Sequence, residues 1–327
     1  MIETAEAKAQ SPSLGRLREF LSRSGLLVGL TLLFTLLATF APNFLTSRNQ
    51  LNVLRAVAFN GIIACAMTFI IISGDIDVSV GSAVAWASSL LGVLAIEQNW
   101  PLWLAVAFVL FQATLVHALA GFIRVKWNVP AFVVTLTLFM GLRGAARLIT
   151  NAYPITPFPD EFNFWGGGYI ARIIPVPAVI MVVTFIIFHF LSTRTVYGRW
   201  VYSVGGNEES ARLSGIPVWR TRIITFAMTG FLSAFSGVIL SSRIMSGSSN
   251  IAEGLEFDVI AAVIIGGTSL MGGEGSIFGT FLGVLFIGLL SNGMVLLGIT
   301  PFAQEVVRGL TILFAVLISV WQKPIRK

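Results

Sequence analysis

Long apolar runs separated by short polar breaks dominate the chain. Ten of them, roughly residues 26–44, 53–73, 78–96, 102–123, 129–149, 173–191, 223–240, 258–271, 277–298 and 305–321, are candidate membrane spans, since about 20 residues cross a hydrocarbon core of about 30 Å. The runs lack the period-two alternation of barrel strands, and open strands cannot satisfy their backbone in lipid, so the spans are helices. The pattern predicts an all-α polytopic membrane protein with about ten transmembrane helices over residues 26–321. A basic segment, 1–25, precedes them and a basic tail, 322–327, follows.

Composition supports this. Of 327 residues, 56% are hydrophobic and 11% charged, against about 25% charged in soluble domains. The loops are too short for a second folded domain of about 100 residues. The net charge of +6 also suits nucleic-acid binding, but its distribution argues against such a partner. With the N-terminus cytoplasmic, 14 Lys and Arg fall on the inner side and 7 on the outer side or outer helix ends, which together make the 21 in the chain and obey the positive-inside rule. Ten crossings return the C-terminus to the cytoplasm. Residues 150–172 are then external and 192–222 cytoplasmic. The first run reads as an uncleaved anchor, because Pro42 follows the only small-residue site, at Ala41, and the run exceeds the usual signal core of about 7–15 residues. Before it, Leu14, Leu17 and Leu21 alternate with Arg16, Arg18 and Arg23. This pattern fits either a short helix on an anionic lipid surface or a disordered basic tail.

Candidate chemistry is sparse. Cys65 is the single cysteine, and His117 and His189 sit in apolar runs, so no disulfide, metal site or catalytic residue is expected and both histidines read as helix-packing or interfacial residues. None of the four lysines, Lys8, Lys126, Lys323 and Lys327, stands in a phosphate-loop setting. No charged residue falls near the midpoint of a span, where proton- or ion-coupling groups usually lie, and Asp75 and Asp77 are placed near the inner surface. Uphill transport would therefore draw its energy from another polypeptide, and the chain itself should bind no cofactor.

Two features point to transport. The inner loop contains GGNEESARLSGI, Gly205 to Ile216. There Asn207 can cap a short helix, Glu208 and Glu209 suit its first turn, and Gly215 and Pro217 stop it. A charged surface helix between two spans suits docking to a cytoplasmic partner, the alternative being a solvated loop. Polar, glycine-containing breaks also interrupt the apolar pattern in comparable places of the two halves, Ser73–Ser82 and Glu253–Ser276, the second with Gly266 and Gly267. Such paired breaks point to a transport pathway, because freed backbone at membrane depth must face protein or a cavity. Small-residue ladders at Ser233, Gly237 and Ser241 and at Gly275, Gly279 and Gly283 predict close helix packing.

The chain resembles the permease subunits of ribose-type carbohydrate ABC importers, the family of ribose, xylose, arabinose and galactose systems. The likeness rests on SGDIDVSVGS near Ser73, NVPAFVVTLTLFMGLRG from Asn128, GRWVYSVGGNEESARLSGI from Gly198, GLEFDVIAAVIIGGTSLMGGEGS from Gly254 and NGMVLLGITPFAQEVVRG ending at Gly309. It implies the ABC importer permease fold in a bacterial inner membrane, two permease chains (a homodimer or heterodimer) around a pore, a cytoplasmic ATPase that binds the ATP, and a periplasmic binding protein that delivers a pentose or hexose. Carried over to this sequence, Gly205, Gly206, Asn207, Glu208, Glu209, Arg212 and Gly215 form the ATPase-coupling segment. Apart from the resemblance, the broken segments offer Asp77, Ser79, Gly266, Gly267 and Thr268, and side chains able to bind hydroxyls offer Asn60, Thr135 and Asn292, as candidates for the sugar path. Asp77 matches an aspartate common in the family. Asp75 stands where many relatives have glycine, and Ser210 replaces the usual alanine. The alternatives are a self-sufficient secondary transporter or facilitator, or a scaffold that moves nothing.

Overall fold

A helix that is apolar on every side belongs in the interior of a bundle, and α2 (Ser47–Ile72) is such a helix: nearly every residue from Val57 to Ile72 is buried. The computed structural model describes residues 12–321, with side chains for residues 25–317 except Ala315. Residues 1–11, the basic tail and the side chains of Leu14, Leu17 and Leu21 lie outside it. Around α2 pack α7 (Val176–Arg194), α10 (Val218–Ile244), α11 (Leu255–Ile265) and α12 (Ile277–Leu296). The outer members are α1 (Pro12–Phe40), α3 (Val80–Gly92, extended by a π-helical turn to Glu97), α4 (Leu102–Lys126), α5 (Ala131–Thr150) and α13 (Pro301–Trp321). Three short helices, α6 (Asn163–Gly167), α8 (Val196–Gly206) and α9 (Glu208–Leu213), lie in the connections. A two-residue hairpin, β1 (Tyr169–Ile170) with β2 (Ile174–Pro175), completes the described elements.

Helix ends follow local chemistry. Asn99, Asn128 and Asn151 adopt positive φ of 55°, 50° and 50° at the ends of helical segments, a region that asparagine tolerates better than most residues. Pro101, Pro130 and Pro175 immediately precede α4, α5 and α7, where a missing N–H is harmless. Seven described helices (α2, α3 with its π-turn, α4, α5, α7, α10 and α12) are long and apolar enough to cross a membrane. Trp103, Phe111, Met140 and Leu148 are exposed on α4 and α5, as on helices that face lipid.

One expected span is not continuous. The run 258–271 yields a helix that stops at Ile265, only about 16 Å long at 1.5 Å per residue. Gly267, at φ +89°, turns the chain where residues with a Cβ are strained. Both small-residue ladders pack within the chain. A Cβ on Gly283 or Gly279 would lie 2.0 Å from the Ala262 or Gly266 carbonyl oxygen, which shows how closely α12 meets α11 and its end. On α10, Gly237 abuts Val84, and Ser241 donates to Ser88 at 2.7 Å.

Candidate functional site: the α8–α9 junction, the buried charges and a polar cavity

The connection between α7 and α10 is built as its sequence predicts. Asn207 accepts from the Ser210 N–H at 2.8 Å and caps α9, with Glu208 and Glu209 in the first turn. Gly215, at φ +78°, lets the Ile216 N–H reach back to Ala211 at 3.0 Å, and Pro217 precedes α10. Arg212 is exposed and hydrogen-bonded to Glu209 at 2.6 Å. That contact raises the guanidinium's already high pKa, so the helix presents fixed charge to solvent.

This connection meets both breaks. Gly205 lies against the Ile72 carbonyl at the end of α2, the Gly273 N–H donates to that same carbonyl at 2.8 Å, and Gly272 approaches both Gly205 and Gly74. Tyr202 donates to the Gly275 carbonyl at 2.9 Å. Burial pushes the Tyr197 and Tyr202 hydroxyls up in pKa, which keeps them neutral donors. A Cβ on Gly205 would sit 1.6 Å from the Ile72 oxygen, whereas one on Gly206 would meet nothing within 4 Å. Gly205→Ala should therefore lower stability by about 1–3 kcal/mol through overpacking while Gly206→Ala stays close to wild type. Thermal unfolding of the two purified variants checks this, and equal midpoints would remove the close-packing argument.

Behind the glycines is an ion network. Asp75, buried in the first break, receives both Arg222 Nη1 contacts, at 2.9 and 3.1 Å, and Arg124 Nε at 3.0 Å. The same Arg222 reaches Glu208 of α9 through its other terminal nitrogen at 2.5 Å. The side chains of Asp75 and Arg222 are 2% and 6% exposed, and that of Glu208 is half exposed. One guanidinium thus ties the surface helix to the break. The charge count placed Arg124 and Arg222 on one side of the membrane, but no sequence spacing links positions 75, 124, 208 and 222.

Asp77 is deeper than expected. Its carboxylate accepts from the Ser79 N–H at 2.8 Å, the Ser79 hydroxyl at 2.5 Å and the Thr229 hydroxyl at 3.0 Å, and it lies 3.6 Å from His117 Nε2. All four side chains are fully buried. Thr229 is twelve residues into α10, so Asp77 sits roughly 17 Å along that helix at 1.5 Å per residue, within the bundle instead of at its surface. The sequence pattern missed this because the break folds inward, so that Asp77, just before α3, meets Thr229 near the middle of α10, and Val84 of α3 then packs on Gly237 farther along. Nδ1 of His117 faces the Ala113 carbonyl at 3.0 Å. A carbonyl only accepts, so Nδ1 is a donor, while Nε2 lies 3.2 Å from the Ser79 hydroxyl. Thr135 supports the break by donating to the Ile76 carbonyl at 3.2 Å.

The remaining path candidates lie elsewhere. Gly266 packs on Gly279, while Thr268 is buried beside Gly275, close to the α8 junction. Asn60 and Asn292 line a separate cavity of about 480 Å³ between α2, α11, α12 and α13, together with Arg243 at the end of α10. It also holds Asp258, Ser291 and Arg308, which the sequence reading did not select. A signal was there, because Asn52 and Asn60, or Gln304 and Arg308, recur at helical spacing within apolar runs. Among the described residues no cluster of three or more His, Cys, Asp or Glu could hold a metal ion.

Comparison with known proteins agrees with this architecture. The family model described as "Branched-chain amino acid transport system / permease component" matches residues 49–316. The probable ABC transporter permease protein YphD of Escherichia coli K12 is 49% identical over 93% of this chain and 92% of its own length. The ribose import permease protein RbsC of Bacillus subtilis 168 is 41% identical over 91% and 93%. The L-arabinose transport system permease protein AraH of E. coli K12 is 38% identical over 98% and 96%. No solved structure matches. By the family match and by likeness to these relatives along nine-tenths or more of its length, the chain belongs to the permease components of ABC importers, in their ribose-type branch.

Proposed function

We propose that this chain is the membrane subunit of an ABC importer that passes a monosaccharide, a pentose or hexose, from an external binding protein to the cytoplasm, driven by a separate ATPase. The observation that supports this best is the junction. A capped, charged surface helix, α9, is joined through Arg222 to Asp75 and through Gly205 to the ends of both broken segments. An ATPase that moved α9 would move the two breaks with it. RbsC and AraH, named for ribose and L-arabinose, supply the substrate class. In this reading ten helices cross an inner membrane, with both termini and the 192–222 loop cytoplasmic. The 150–172 loop, with Tyr153, Phe164 and Trp165 exposed, faces the binding protein. A second permease chain, identical or not, completes the pore.

Alanine at Glu208, Glu209 and Arg212 together should leave the protein folded in the membrane, since Asp75 keeps both its arginines, but should uncouple ATP hydrolysis from uptake. Sugar uptake and hydrolysis measured on the complete complex test this, and normal uptake by the triple variant would remove α9 as the coupling element. One observation favours the second reading, a secondary transporter: an ionisable pair, Asp77 and His117, lies inside the bundle, where proton-coupled carriers place such groups.

A further inference from the structure

We infer that the cavity between α2, α11, α12 and α13 is a holding site for one monosaccharide within this chain; the inference rests on the proposed importer function and adds a location and a chemistry to it. Its volume, about 480 Å³, lies in the range of about 300–1,000 Å³ typical of small-molecule sites, room for one sugar with some of its water. Half of its lining residues are polar or charged, on helices that are otherwise apolar. The side chains of Asn60 and Ser291 are half-buried on this cavity, and neither makes a hydrogen bond to a described residue. Arg308 Nε is buried and also lacks a hydrogen bond, lying 3.5 Å from Asp258. Partly buried polar groups on a membrane bundle are best held by partners, and the hydroxyls of a sugar, which both donate and accept, match amide, hydroxyl, guanidinium and carboxylate together.

Two features narrow the ligand. Asn292 exchanges hydrogen bonds with Asn49 at 2.9 and 3.0 Å, so one wall is held rigid while Asn60 and Ser291 remain available. Arg243 and Arg308 attract negative charge, but Asp258 stands among them and disfavours a phosphate. The balance favours a neutral polyhydroxylated solute over the headgroup of an anionic lipid. Asp258 and Arg308 come from opposite helices, α11 and α13, so a ligand bridging them would also hold the short α11 against α13. Gly266 and Gly267, at the far end of α11, connect this site to the junction with α8.

The test uses the complete transporter, with cognate ATPase and binding protein, in liposomes. Cys65 is replaced by serine and a single reporter is introduced as Ala56→Cys, a lining residue outside the groups proposed to hold the sugar, with Val295→Cys as the second reporter should the first not import sugar. Reaction of the reporter with a small membrane-impermeant thiol reagent is timed with and without D-ribose or L-arabinose. At a sugar concentration about ten times the apparent dissociation constant, roughly one site in eleven is free, so modification should slow about tenfold. The slowing should follow the sugar that is imported and not a sugar that is not. Unchanged modification rates in a preparation that imports the sugar would overturn the cavity assignment while leaving the importer reading standing. Slowing by an anionic phospholipid but not by sugar would also overturn it, in favour of a lipid site. Failure of the unmodified complex to import any pentose or hexose would instead defeat the importer reading itself.

Discussion

Arg222→Ala should be among the most damaging single substitutions in this protein, for stability and for coupling at once. It leaves the buried Asp75 carboxylate with Arg124 alone, and removal of one partner from a buried ion pair costs about 3–5 kcal/mol because the remaining charge stays desolvated. It also cuts the only described side-chain link between Glu208 and the first break. Arg222→Lys keeps the charge but cannot span Asp75 and Glu208 with separate nitrogens, so it should fall between wild type and alanine. The double variant Asp75→Leu with Arg222→Leu separates the two roles. Apolar side chains often restore or exceed the stability of a buried pair, but Arg124 loses its carboxylate partner as well, so thermal unfolding should recover in part while sugar uptake per ATP hydrolysed does not. Full recovery of both would reduce the network to a packing device. The measurement is a double-mutant cycle read by unfolding midpoint and by coupled uptake on the same preparations.

The same residues show what sequence pattern can and cannot reach. The cap of α9 was legible because Asn207, Glu208, Glu209 and Gly215 act within a few residues of one another, and helix-end rules are local. The breaks near Ser73 and Gly266 were visible as polar interruptions of apolar runs. Their depth was not, because it depends on which helix α3 packs against, and that contact joins positions 84 and 237. The burial of Asp77 beside His117 and Thr229 is likewise a product of three elements distant in sequence. Residues 258–271 read as a span because hydropathy averages over Gly266 and Gly267, whereas the backbone turns there. Asn60 and Asn292 stand out in the sequence by side-chain chemistry alone. Packing places them on one cavity and adds Asp258 and Arg308, whose charges looked like helix-end residues in the one-dimensional pattern.

The chain alone in liposomes is expected neither to hydrolyse ATP nor to accumulate sugar against a proton or sodium gradient. The first expectation follows from its lysines, none of which stands in a phosphate-binding loop. The second turns on Asp77 and His117. In a proton-coupled carrier this pair would exchange a proton during each cycle. Its described contacts suit a different role: Asp77 binds the Ser79 N–H and hydroxyl just before α3 and the Thr229 hydroxyl on α10. That fixes the start of a helix inside the bundle and needs no change of protonation. Asp77→Asn retains the shape and one acceptor oxygen, so with the ATPase and loaded binding protein present it should weaken uptake through reduced stability while leaving the dependence on ATP intact. Uptake by the wild-type complex should require ATP, the ATPase and the binding protein together. Gradient-driven accumulation by the chain alone, abolished by Asp77→Asn, would instead make the buried pair a proton site and this protein a secondary transporter.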